Sequence, residues 1–150
     1  MVEGKILIIV LYVDDLILTC DEQLIHSCKE NLAREFKIKD MGLLHYFPGL
    51  EIWQRDGEIF VSQGKYSKEI LGKFNMESSK PMDTPLPGNG RKEDATSGEV
   101  VDATFYQWSV GLLMYLVNMR PNICYAVNLL IQAMVNPTKL FWKVGKHVLR

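Results

Sequence analysis

The chain has 150 residues, is 47% hydrophobic and 23% charged, and carries a formal net charge of -1 at pH 7. That length suits one ordinary domain or a domain plus a fragment, and the composition allows a real hydrophobic core. The near-neutral balance argues against a free-standing, strongly basic nucleic-acid binder, though it leaves room for a local basic patch.

The first segment, Lys5 followed by the apolar run Ile6 to Val13, has the outline of a leader peptide. Two aspartates stand where a cleavage site would be, and the run is too short to span a bilayer, so neither secretion nor membrane insertion is expected. Lys5 to Tyr12 and Leu16 to Cys20 read as two strands, rich enough in Ile and Val to suit strands covered on both faces. Asp21 fits a helix N-cap, because its carboxylate can accept from the free N–H groups of the first turn. Ile25, Cys28, Leu32 and Phe36 follow at helical spacing as one apolar stripe. Gly42 marks a turn, and "LLHYFPGLEIW" and "EIFVSQ" read as strands joined at Asp56-Gly57, a hairpin signal. Residues 1–63 therefore read strand, strand, helix, strand, strand.

Tyr66, Ile70 and Phe74 lie four apart and predict a short helix within 64–79. The Pro- and Gly-rich stretch 80–103 is a linker or long surface loop, extended around Pro81 to Pro87 and most mobile over 88–99. Helices are expected from 104 onward. Thr104 with Gln107 fits a capping box, with Asp102 as a rival cap. Phe105, Trp108, Leu112 and Leu116 then share a face. Pro121 suits a first helical position, and Ile123, Val127, Leu130 and Met134 continue an apolar stripe as far as Asn136-Pro137. A last helix runs from about Thr138 to Arg150. On it Lys139, Lys143, Lys146 and Arg150 recur as a basic stripe, either a solvated face opposite Leu140, Val144 and Val148 or a set of phosphate contacts. Three cysteines without CxxC spacing suit a reduced, intracellular compartment and not a zinc site.

The most unusual stretch is "LYVDDLIL", in which Asp14 and Asp15 interrupt an apolar run. One reading is a surface hairpin turn, since Asp favours turns. Its weakness is that a two-residue hairpin wants residues able to take positive φ, and β-branched Val13 beside two aspartates is a poor substitute. The other reading is a metal site. Mg²⁺ takes hard oxygen ligands, usually one or two carboxylates plus substrate phosphates, and a cation would relieve the repulsion of two carboxylates at a hairpin tip.

"YVDDL" between two apolar strands resembles the active-site hairpin of reverse transcriptases. The ordered series "LYVDDLILT", "FKIKDMGLLHYFPGLEI", "SQGKYSKEILGKFNM", "KPMDTPL", "VGLLMYL", "RPNICYAV" and "KHVLR" is similar to the polymerase of copia-type LTR retrotransposons from about residue 6 to the C-terminus. The resemblance implies an α+β fold: a partial polymerase palm of β-hairpins plus one helix over 1–63, followed by thumb-like helices over 104–150. It implies RNA-directed DNA polymerisation, within a Pol polyprotein, by two-metal nucleotidyl transfer using Mg²⁺ or Mn²⁺. By the same resemblance Asp14 and Asp15 are the catalytic metal-binding carboxylates, with Tyr12 and Val13 near the primer terminus and nucleotide. Tyr46, Phe47, Pro48, Gly49, Leu50, Glu51 and Ile52 correspond to the hairpin that supports the primer. The implied partners are a template–primer RNA/DNA duplex, a deoxynucleoside triphosphate, and the upstream palm and fingers.

The upstream catalytic aspartate and the fingers of that family have no counterpart in the sequence, so the chain is expected to be inactive alone and to hold Mg²⁺ weakly. The alternative is a co-opted, non-catalytic module that binds nucleic acid or protein. Several residues depart from the family pattern: Cys20 stands for Gly, Pro48 interrupts "YFLGIE", Asn122 stands for Asp, and Phe141 for His.

Overall fold

The computed structural model describes residues 5–86 and 99–150. The chain divides into two compact units, Met1–His45 and Tyr46–Arg150. The expected mobility of 88–99 falls, except for Glu99, outside the described residues.

In the first unit, β1 (Ile8–Tyr12) and β2 (Asp15–Thr19) form an antiparallel hairpin whose register runs from Ile8 opposite Thr19 to Tyr12 opposite Asp15. β1 starts three residues later than the apolar pattern suggests, and β2 begins at Asp15 itself. Helix α1 (Glu22–Glu35) follows, with Asp21 accepting from the Gln23 N–H at 3.1 Å as the expected N-cap. Lys5 Nζ reaches the same carboxylate at 2.9 Å. Ile25, Cys28 and Leu32 are half-buried, whereas Phe36 caps the helix C-terminus in an extended conformation and is 61% exposed. No described residue of this unit is fully buried. The strands are not covered on both faces, contrary to their composition: Ile8, Ile9, Val10 and Leu11 are all exposed. Two strands and one helix cannot enclose that much apolar surface.

The second unit opens with a three-stranded antiparallel sheet, β3 (Tyr46–Phe47), β4 (Leu50–Arg55) and β5 (Glu58–Ser62). "LLHYFPGLEIW" is not one strand. Pro48 and Gly49 form a tight turn between Phe47 and Leu50, which pair directly. Pro fixes its own φ and Gly49 takes φ +75°, the sign that follows Pro in a type II turn. Gly57, at φ +78°, makes the expected second turn between Arg55 and Glu58. Trp53 and Phe60 face each other there with ring centroids 5.5 Å apart.

Helix α2 (Gly64–Lys73) buries Ile70, and Phe74 caps it from within the core. Residues 81–86 form neither helix nor strand but are fastened. The Met82 N–H donates to the Arg150 carbonyl, His147 Nε2 lies 2.9 Å from the Thr84 carbonyl, and Leu86 packs on the core. At the other end of the loop, Val100 forms an isolated antiparallel bridge with Thr138.

Helix α3 (Ala103–Val117) is capped by Asp102, whose side chain accepts from the Phe105 N–H at 3.1 Å; Asp102, not Thr104, is the cap. Its buried face is Tyr106, Ser109, Val110, Leu113 and Leu116. Of the predicted face only Leu116 is fully buried. The helix is apolar nearly all round, so periodicity could not choose a side. Phe105 and Trp108 instead join Phe74 and Trp142 in an aromatic group at the core's edge. A 3-10 turn with Pro121 at its first position leads into α4 (Cys124–Ile131). Ile123, Val127 and Leu130 are buried as expected, although tighter turns end the helix before Met134. Helix α5 (Lys139–Val148) packs Val144 into the same core and stops short of Arg150.

The fold is thus mixed α+β with small antiparallel sheets, and its core lies among α3, α4 and α5. No helix among the described residues is long and apolar enough to cross a membrane.

Candidate functional site

The β1–β2 connection contains two residues, Val13 and Asp14. Tyr12 and Asp15 close it as a cross-strand pair. Val13 has φ +52° and is the sole non-Gly residue besides Asn75 with positive φ among the described residues. Positive φ at the first central position alone is the sign pattern of a type II′ turn, where Gly is ordinarily found. A β-branched side chain there is a genuine outlier, and such strain clusters at functional sites.

The geometry separates the two aspartates into different roles in the chain. Asp14 is the second corner of the turn, and Asp15 is the first residue of β2. Residues directly opposite on paired strands share a face, so Asp15 shares one with Tyr12. Tyr12, Val13, Asp14 and Asp15 are all exposed. Two other carboxylates in this unit, those of Asp21 and Asp40, are paired with lysines. The Lys5 ammonium bound to Asp21, with the Gln23 N–H, holds that carboxyl below its ordinary range. Lys29, at 2.9 Å, and the Gly42 N–H do the same for Asp40. No ion pair among the described residues involves Asp14 or Asp15.

Two adjacent carboxylates have the right donor chemistry for a hard divalent cation. Among the described residues, however, no group of three or more His, Cys, Asp or Glu could hold a metal ion. The pair by itself is not a closed protein cage for such an ion.

The other predicted residues lie in the second unit. Tyr46 to Ile52 are brought together around the Pro48–Gly49 turn. The Glu51 carboxylate accepts from the Lys65 N–H at 2.9 Å, one of the free donors at the start of α2. Lys65 Nζ lies 5.6 Å from the centre of the Tyr46 ring. The Tyr115 hydroxyl donates to the Pro48 carbonyl. Sequence reasoning missed Tyr115 and its support from Gln63 and Tyr66. A lone Tyr in the apolar run "VGLLMYLV" is the available signal, since a Tyr hydroxyl set among apolar neighbours usually finds a hydrogen-bond partner.

Lys139, Lys143, Lys146 and Arg150 are all exposed. Lys139 pairs with Glu99, and Lys146 lies over the Trp142 ring at 5.4 Å from its centre. Arg150 follows the C-cap Leu149, so only the three lysines belong to α5.

A mixed α+β chain with a strained, carboxylate-bearing hairpin is thus the frame in which the comparisons with known proteins stand. A family model described as reverse transcriptase (RNA-dependent DNA polymerase) matches residues 1–87. The chain is 37% identical over 149 residues to the retrovirus-related Pol polyprotein from transposon RE1 of Arabidopsis thaliana, covering 98% of this chain and 10% of that protein. It is 34% identical over 158 residues to the Pol polyprotein from transposon TNT 1-94 of Nicotiana tabacum, covering 99% of this chain and 12% of the relative. An uncharacterized mitochondrial protein of Arabidopsis thaliana is 38% identical over 143 residues, covering 95% of this chain and 59% of its own length. No solved structure matches. The chain belongs to the reverse transcriptase family, in the copia-type retrotransposon branch, and spans about a tenth of the Pol polyproteins it matches.

Proposed function

We propose that this chain carries the metal-binding hairpin and the primer-supporting elements of a copia-type reverse transcriptase, and that it does not polymerise DNA alone. The observation that carries this reading is the Val13–Asp14 turn. A β-branched residue at φ +52° holds Asp14 at a corner and Asp15 at a strand start, both open to solvent. In this reading Asp14 and Asp15 hold Mg²⁺ or Mn²⁺ jointly with the phosphates of a deoxynucleoside triphosphate. The ions supply activation of the primer 3′-hydroxyl and stabilisation of the leaving oxygen. Tyr12, on the Asp15 face, and Val13 border the primer terminus. The Tyr46–Ile52 turn supports the primer strand, and the lysines of α5 with Arg150 contact phosphates of the RNA/DNA duplex. The first unit with the three-stranded sheet corresponds to part of a palm, and α3 to α5 to a thumb.

Two carboxylates without a third protein ligand hold Mg²⁺ weakly, because Mg²⁺ gives up its waters reluctantly. The exposed apolar surface of Ile8 to Leu11 supports docking of further polymerase strands on this hairpin. The three free cysteines support an intracellular setting.

Primer extension on an RNA template tests the reading. The chain alone should incorporate no nucleotide with Mg²⁺ or Mn²⁺. Fusion to the preceding polymerase segment of a related Pol polyprotein should give incorporation, and Asp14→Asn should abolish it. Extension by the fusion carrying Asp14→Asn would refute the metal role, and robust extension by the unfused chain would refute the partial site.

A further inference from the structure

The turn at Pro48–Gly49 is built against one side chain of α3. The Tyr115 hydroxyl donates to the Pro48 carbonyl. A Cβ added at residue 49 would stand 2.6 Å from Tyr115 Cε1 and 3.2 Å from its hydroxyl oxygen, so the glycine is needed for close approach as well as for its φ of +75°. Tyr115 is in turn held from behind. Buried Gln63 donates through Nε2 to the Tyr115 carbonyl at 3.1 Å, in the last turn of α3, where the Asn118 N–H reaches the same carbonyl at 3.4 Å. The Tyr66 ring meets the Tyr115 ring edge-on at 5.0 Å, and the Tyr66 hydroxyl donates to the Leu112 carbonyl at 3.1 Å. The hairpin's other fastening, Glu51 to the Lys65 N–H, comes from the same start of α2.

We infer that Tyr115 is a positioning residue: it locks the Pro48–Gly49 turn to the C-terminal end of α3, so that the hairpin and that helix move as one body. This rests on the reading of the hairpin as primer-supporting. A surface turn of two residues needs no such attachment to keep its shape. Pro fixes one φ and Gly permits the other, so the pair favours the turn, and the attachment slows its opening. What the attachment adds is a defined height of the turn relative to α3, and hence a defined seat for whatever the turn touches. If the turn touches a primer end, displacement of α3 is transmitted to that end through Tyr115.

The test uses the chain itself with Tyr115→Phe, which removes the hydroxyl and keeps the ring. Amide exchange of Gly49 and Leu50 should quicken about fivefold, the factor carried by a neutral hydrogen bond of ordinary net strength, while Val110 and Leu113 stay unchanged. In parallel, affinity is measured for an RNA/DNA duplex with a recessed primer 3′ end and for a blunt duplex. The wild type should prefer the recessed end. Measured well below the thermal midpoint, which one lost hydrogen bond lowers only slightly, Tyr115→Phe should move the ratio toward parity, a change that a merely structural role would not produce. Gly49→Ala, which pushes on the ring from the other side and strains the turn at φ +75°, should move exchange and ratio in the same direction and covers the case of a Tyr115 variant that fails to fold. Unchanged exchange at Gly49 and Leu50 overturns the lock. Faster exchange with an unchanged ratio overturns the positioning role. A wild type indifferent to the recessed end sinks the primer-supporting reading itself, and exchange still decides whether Tyr115 holds the turn.

Discussion

Tyr12 and Asp15 face each other across the mouth of a turn whose first corner, Val13, has φ +52°. An L-residue with a Cβ is disfavoured in the left-handed region by about 1–2 kcal/mol, and replacing it with Gly returns about 0.5–1 kcal/mol as lost backbone entropy. Val13 is 78% exposed, so its side chain contributes little packing to lose. Val13→Gly should therefore stabilise the hairpin by roughly 0.5–1 kcal/mol, the difference between those two effects. Slower amide exchange in β1 and β2 would show this. Faster exchange would mean that Val13 makes contacts worth more than the strain.

Tyr106 is almost wholly buried and donates to the Leu130 carbonyl at 2.9 Å, tying α3 to α4. Tyr106→Phe removes that bond while the Ala133 N–H still reaches the Leu130 carbonyl at 3.1 Å, and should cost about 0.5–1.5 kcal/mol at neutral pH, read from urea unfolding. Burial also pushes the Tyr106 phenol well above its ordinary value of 10.0, and burial, then the neighbouring Tyr115 and Glu69, raise Tyr66. A raised phenol means that the folded state prefers the neutral form. Its contribution is complete below the unfolded value near 10 and is lost as pH rises toward the higher folded value. The urea midpoint should stay level up to about pH 9 and fall above 10, less steeply in Tyr106→Phe. A flat profile through pH 11 would contradict the burial of these hydroxyls.

Replacing Lys139, Lys143, Lys146 and Arg150 together with Gln should flatten the salt dependence of duplex binding. Each phosphate that is no longer neutralised lowers the slope by about 0.9 on B-form DNA. Lys143 and Lys146 should account for most of the change, because Lys139 is already paired with Glu99 and Arg150 lies beyond the helix. An unchanged slope would reduce the lysines to a solvated face.

Much of the fold is legible in the sequence where one local signal dominates. Asp21 caps its helix, Asp56-Gly57 makes its turn, and Pro121 opens its helical turn, because caps and turns are decided by neighbouring residues. The strained hairpin is legible for the same reason: Val13 is a poor turn residue wherever it stands. The buried face of α3 is not, since an apolar residue lies on every side of "VGLLMYLV" and only the helices around it select Tyr106, Val110 and Leu113. Pro48 reads in the sequence as a break in a strand, because the turn it starts depends on the pairing of Phe47 with Leu50. The hold of Tyr115 on that turn spans 67 residues of sequence, beyond the reach of any periodic pattern.

In the proposed function Asp14 and Asp15 are ligands for a divalent cation shared with nucleotide phosphates. Paramagnetic broadening by Mn²⁺, titrated into the isotopically labelled chain with and without a deoxynucleoside triphosphate, tests it most directly. Broadening should centre on the amides of Val13, Asp14 and Asp15, strengthen with the triphosphate and vanish in Asp14→Asn. Broadening that spares this turn, or that persists unchanged in Asp14→Asn, would contradict it.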